Sequence, residues 1–219
     1  MGLCMADAAE KFLTPAEKKA VEVAVAAAER QTSGEIVVMV VSSSHHYQEV
    51  AYLYGFAVSL GVAFALSLLL GDETLWHFAG VLGLTFVLVH QLLLRVPVLM
   101  RPLVSAAQRR GEVERSAFAA FHRSGVANTV GRTGILLYIS LFEHTVRVVA
   151  DRGIDEKLGH GFWQEIVDGV VAGIRERRQG AAVVAAVERC GEKLAVHFPV
   201  AADDRNELDD AVIIGSSGW

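Results

Sequence analysis

Val50 to Gly71 reads VAYLYGFAVSLGVAFALSLLLG and Thr74 to Leu94 reads TLWHFAGVLGLTFVLVHQLLL, two stretches without a charged residue, separated only by Asp72 and Glu73. About 20 helical residues at about 1.5 Å each match a hydrocarbon core of about 30 Å. The turn between them is too short to hold a domain, so the spacing predicts an antiparallel pair of membrane spans whose flanks face one compartment. Two buried core helices are the competing reading, and length disfavours it, because core helices more often carry about 10 to 14 apolar residues.

Arg95, Arg101, Arg109, Arg110 and Arg115 follow the second stretch, and the turn carries no cation. Lys and Arg beside a span resist translocation, and no export signal is recognisable before residue 50. Both flanks are therefore expected in the cytoplasm, with the lipid bilayer as the first partner. Ala57, Gly61 and Ala65 form a stripe of small residues along the first span, a surface that lets a second helix approach closely. The second span is the expected occupant, with a neighbouring protein as the alternative. His77 and His90 have no acidic companion and are expected to pack or snorkel rather than to mark a polar path.

A net charge of −5 and a pI near 5.9 disfavour nucleic acid as a partner, because phosphate binding needs a concentrated basic face. The arginines after Leu94 suit an anionic leaflet instead. Cys4 and Cys190 stand far apart without metal spacing, as in a reducing compartment. The start Met1-Gly2-Leu3-Cys4 fits lipidation poorly, since Ala6 stands where a myristoylation motif takes Ser or Thr.

Outward from the hairpin, the pattern is that of a soluble α/β domain. Thr14-Pro15-Ala16-Glu17 is a capping box that opens a helix with Val21, Ala24, Val25 and Ala28 on its apolar face and Gly34 at its end. Glu35 to Val41 (EIVVMVV) reads as a strand covered on both faces. A helix is expected from Gln108 to Val126, with Ala117, Phe118 and Phe121 inward. Gly134 to Leu141 (GILLYISL) and Thr145 to Ala150 (TVRVVA) form an antiparallel hairpin, the first strand central, the second nearer an edge because Arg147 interrupts it. Trp163, Ile166, Val167, Val170, Val171 and Ile174 share one helical face; Gly180 interrupts; Val183, Val184, Val187 and Leu194 continue in a last helix. The expected architecture is an α/β fold, a small mixed sheet packed between helices and interrupted by the two-helix hairpin. Residues 1–49 and 95–198 are two parts of one domain, 50–94 the hairpin, and 199–219 an acidic tail read as solvated.

No G-x-S-x-G elbow, phosphate-cradling loop or H-E-x-x-H motif is present. Ser42 to His46 leaves the first strand at its carboxyl end, where ligands of open sheets lie. His45 and His46 adjoin the membrane, and an interfacial pair is the plainer account.

The helix before Gly34, the EIVVMVV strand, Thr133 to Ser140 and Val146 to Ile154, which ends in Asp151-Arg152-Gly153-Ile154, resemble the TPM domain. With Asn206-Glu207-Leu208 they are most similar to a bacterial membrane branch in which a transmembrane pair splits the domain. That resemblance implies a small mixed sheet between helices and the bacterial inner membrane. It also implies acid phosphatase activity or divalent-cation binding in some members. In the secreted branch an Asp-Asn pair precedes the central strand; here Arg132 and Thr133 stand there, and a guanidinium cannot ligate Ca²⁺ or Mg²⁺. Arg132 can pair with Asp151 or hold an anion, with Arg152 as a second anion contact. Asp151, Asp155 and Glu156 are the candidate ligands for Ca²⁺ or Mg²⁺, or else Asp151 anchors the turn and the others are solvated. Two functions follow as expectations: a module that binds or assembles with another membrane protein, and a phosphatase that uses Arg132, Arg152 and Asp151.

Overall fold

All seven residues of β1 (Glu35–Val41) are buried, as a β-branched run must be when helices cover both faces of its sheet. The computed structural model describes residues 8–45, 47–71, 74–200 and 206–215. Cys4, the Met1 to Ala6 start, His46, Asp72 and Glu73 lie outside the described residues. In the described part, β1 pairs in parallel with β2 (Gly134–Ser140) from Glu35↔Gly134 to Val41↔Ser140. β2 pairs antiparallel with β3 (Thr145–Ala150). Among the described residues the sheet has four strands in the order β3-β2-β1-β4, with β4 formed by Ile213–Gly215.

The strand period of two sorts the apolar side chains onto two faces. Ile36, Val38 and Val40 with Ile135, Leu137 and Ile139 meet three helices: α1 (Pro15–Glu29), α5 (Arg152–Arg175) and α6 (Gln179–His197). Val37, Met39, Val41, Leu136 and Tyr138 meet α4 (Ala106–Arg123) through Val113, Ala117, Ala120 and Phe121. Arg147, on β3, stands on an edge strand as its charge predicts. Thr14 caps α1, its Oγ1 accepting from the Glu17 amide at 3.2 Å while the Thr14 amide donates to Glu17 Oε2 at 2.9 Å. Cys190 is buried in the first core, and burial pushes its thiol up to about 12, an inert group.

Three local expectations are corrected. α1 stops at Glu29, well short of Gly34, because Thr32 and Ser33 turn to bond the Phe198 carbonyl. Gly180 does not interrupt a helix but lies in the first turn of α6. The acidic tail is not simply solvated: Ile213–Gly215 form β4, parallel to β1, and Val212 is buried.

The chain forms two compact units, His46–Arg109 and the remainder. The first contains α2 (Gln48–Leu70) and α3 (Leu75–Arg95), both long and apolar enough to cross a membrane. Only 17% and 6% of their apolar windows are buried. They meet along Ala51, Gly55, Ser59 and Ala63, the buried positions of α2. Gly55 lies close to Phe86 and His90. The Ser59 hydroxyl donates to the Gly55 carbonyl at 2.7 Å, which satisfies that hydroxyl in an apolar setting.

Candidate functional site

The carboxyl ends of β1 and β2 carry a buried polar network. Glu143, in the β2–β3 turn, accepts from the Ser44 amide at 3.0 Å and from the Ser43 and Ser140 hydroxyls. Ser44 Oγ donates to Ser140 Oγ at 3.0 Å and lies 3.2 Å from the Tyr138 hydroxyl, and Ser116 donates to the Ser44 carbonyl at 2.9 Å. Burial raises the phenol of Tyr138 above its ordinary range. Every hydroxyl named here is hydrogen-bonded, so the network fixes the chain as it leaves β1. His45 lies nearby, 3.8 Å from Glu112.

A second cluster lies at the amino ends of the same strands. Glu29, at the end of α1, accepts from the Ile36 amide at 2.8 Å. The Glu207 amide donates to Glu35 Oε1 at 3.1 Å, and the Glu207 carboxylate accepts from the Val130 amide. Asn206 donates to Asp210 at 2.6 Å. Burial, and then the charges and hydrogen bonding of Glu35 and Asp210, push the Glu29 carboxyl up to about 8, despite the Ile36 amide. Glu29 therefore holds a proton at neutral pH and shares a hydrogen bond with Asp210. The group faces a cavity of about 340 Å³ lined also by Arg30 and Thr32. It latches the chain before β4 onto the start of β1.

The residues expected to hold an anion or a metal are not gathered in this way. Asp151 is buried and clasps Gly134: its amide donates to the Gly134 carbonyl at 2.9 Å and its carboxylate accepts from the Gly134 amide at 3.2 Å. A side chain at Gly134 would meet the Val126 carbonyl at 2.4 Å, so the clasp closes on a position open only to glycine. Asp155 accepts from the Trp163 indole at 2.8 Å. Glu156 takes Arg152 at 2.7 Å, both exposed. Arg132 is exposed in a left-handed conformation (φ 48°) and makes no ion pair among the described residues. The proposed Ca²⁺ or Mg²⁺ ligands Asp151, Asp155 and Glu156 thus have three different partners. Among the described residues no three His, Cys, Asp or Glu side chains are grouped to hold a metal ion. Of the two readings of Asp151, the geometry is that of a turn anchor.

The family model described as the TPM domain matches residues 98–193. The NMR structure of the BA42 protein from the psychrophilic bacterium Bizionia argentinensis is similar over 94% of this chain and 97% of that one, with a TM-score of 0.58 and 21% identity. At that identity the likeness concerns the fold. No curated protein matches the chain.

The matched stretch of the TPM domain takes in α4, β2, β3, α5 and most of α6. Strands β1 and β4 lie outside it, although β1 is central to the sheet. Sequence reading missed the clusters around Glu29 and Glu143. A signal existed for each: Glu35 opens an otherwise apolar buried strand, and Glu143 sits in a tight turn facing three consecutive serines.

The hairpin surface also differs from expectation. Ala57, Gly61 and Ala65 do not seat α3; they are exposed, and a Cβ on Gly61 would meet nothing within 4 Å. Two residues of offset turn a helix by about 200°, so this stripe lies opposite the one that α3 occupies. His90 packs as expected, stacked on Tyr52 at 4.5 Å and on Phe86 at 5.6 Å between ring centroids.

Proposed function

We propose that this protein is a membrane-tethered binding and assembly module. α2 and α3 cross a bacterial inner membrane, and the TPM domain stands in the cytoplasm, where it engages another membrane protein or complex. The alternatives that imitate a span are weak here, because a core helix is mostly buried and a signal sequence lies near the amino terminus. The apolar faces of α2 and α3 are largely exposed, and they start after β1. Exposed apolar surface on this scale needs lipid or protein to cover it. Because β1 and β2 pair residue for residue across the insert, both ends of the hairpin return to one domain. The arginines from Arg95 to Arg115 favour the cytoplasmic side for it.

The observation that carries the binding role is the open small-residue stripe Ala57-Gly61-Ala65, left free by the hairpin's own packing. Affinity purification of the full chain in mild detergent is expected to recover one reproducible membrane protein, and Gly61→Leu is expected to lose it. Recovery of the chain alone would overturn the reading.

Phosphatase activity, which family resemblance suggests, would require Arg132, Arg152 and Asp151 to meet one phosphate. Asp151 already takes the Gly134 amide, and Arg152 is held by Glu156 in solvent. Turnover of a generic phosphomonoester with Mg²⁺ that disappears in Asp151→Asn would restore that reading.

A further inference from the structure

Strand β3 ends the sheet opposite β4, so among the described residues one side of its backbone has no neighbouring strand. Antiparallel alternation decides which residues face that side. The Asp151 amide bonds the Gly134 carbonyl, and in the register Leu136↔Val149 and Tyr138↔Arg147, Val149 and Arg147 exchange hydrogen bonds with β2. Val146, Val148 and Ala150 therefore turn their N–H and C=O groups outward. Edges of this kind are usually very short, bulged, charged or covered. Here the one charged residue, Arg147, is drawn aside to Glu114 on α4 at 3.1 Å.

The edge is the floor of a cavity of about 280 Å³. Glu114 and Phe118 of α4 form one wall, and Asp155, His160 and Trp163 of α5 form the other. Phe118, expected to face inward, is 59% exposed, with its ring tilted against His122 at 4.4 Å between centroids. The Asp155 carboxylate fixes the Trp163 indole, which gives that carboxylate a use other than metal binding.

We infer that this trough binds an extended polypeptide segment, which joins the sheet as an added strand beside β3. Alternating outward donors and acceptors are complementary to another extended backbone. The aromatic walls above and below the sheet suit side chains that alternate between its faces. The partner is accordingly a segment with apolar residues at every second position. A second copy fits less well, because its own α4 and α5 flank its β3 in the same way, and the walls would meet before the edges. The inference rests on the protein being a binding module and supplies the chemistry of its partner.

The test uses the full chain in nanodiscs, first as bait for phage-displayed random peptides, then with one synthetic selected peptide. Val148→Pro removes an outward N–H while leaving the β2 ladder intact, a kind of edge-strand position where proline is tolerated. It is expected to weaken binding about tenfold or more. N-methylation along the peptide is expected to abolish binding at alternate positions only. Should Val148→Pro fail to fold, Phe118→Ala replaces it, with weaker binding expected. Selection of no peptide, or binding indifferent to both Val148→Pro and N-methylation, would overturn the inference. So would a Val148→Pro effect confined to the protein's own oligomeric state. Retention of the detergent-purified membrane partner by Val148→Pro would remove the groove while leaving the binding module standing.

Discussion

β1 and α2 are both apolar runs, and they reach opposite ends. Every residue of EIVVMVV is buried, whereas α2 has only 17% of its apolar window covered. The difference lies in what the neighbouring chain supplies. β1 receives β2 and β4 on its two edges and helices on its two faces. α2 receives one helix on one face. Apolar sequence demands removal from water, and the protein meets that demand for the sheet but leaves it to the surroundings for the hairpin.

Substitution across the two regions gives the largest contrast. Leu136→Ala, in the sheet and fully buried, is expected to cost about 2–5 kcal/mol in denaturant titration of the full chain in micelles. Leu69→Ala, 84% exposed at the end of α2, is expected to leave the same transition unmoved; equal losses would mean that the hairpin is part of the folded core.

Asp151→Ala is expected to cost about 1–3 kcal/mol, since it strands the buried Gly134 amide. Calcium should shift the transition of neither form; a calcium-dependent difference between them would revive the metal site.

Glu29→Gln sharpens the comparison within the domain. Between the carboxyl's ordinary 4.5 and about 8, the folded chain holds a proton that the unfolded chain has released. The stability this group contributes therefore falls as pH rises through that window. Glutamine keeps an oxygen for the Ile36 amide and offers N–H groups to Asp210. The variant should equal the native chain near pH 4.5 and exceed it above pH 8 by about 1–2 kcal/mol, allowing for the water that reaches this half-buried group. A pH-independent gain would show that Glu29 is not protonated in the fold. The smallest effect is expected at the α1 cap, where Thr14→Ala should lower stability by about 1 kcal/mol in thermal melts; no loss would mean that α1 is held by packing alone.

Much of the fold was legible because its signals are local and periodic. The capping box at Thr14, the two-sided apolar runs of β1 and β2, and the hairpin need only neighbouring residues to be read. β4 escaped because three residues after an acidic stretch make no pattern of their own; only β1 makes Ile213 to Gly215 a strand. The candidate site was less legible. Asp151, Asp155 and Glu156 are near one another in sequence, but a carboxylate's role is set by the donor that reaches it, here Gly134, Trp163 and Arg152. The small-residue stripes were ambiguous for a related reason. Both Ala51-Gly55-Ser59-Ala63 and Ala57-Gly61-Ala65 have the spacing of a helix seam, and only the packed hairpin tells which is taken.

The central claim is that the hairpin enters and leaves lipid on one side, so that the chain before it and the chain after it share a compartment. Single cysteines at Lys19, Thr74 and Glu192, in a background lacking Cys4 and Cys190, test it with a membrane-impermeant maleimide on intact cells. Labelling of the Thr74 position from outside, with Lys19 and Glu192 positions reached only after the membrane is opened, is the expected result. Labelling of the Lys19 and Glu192 positions from opposite faces would contradict it.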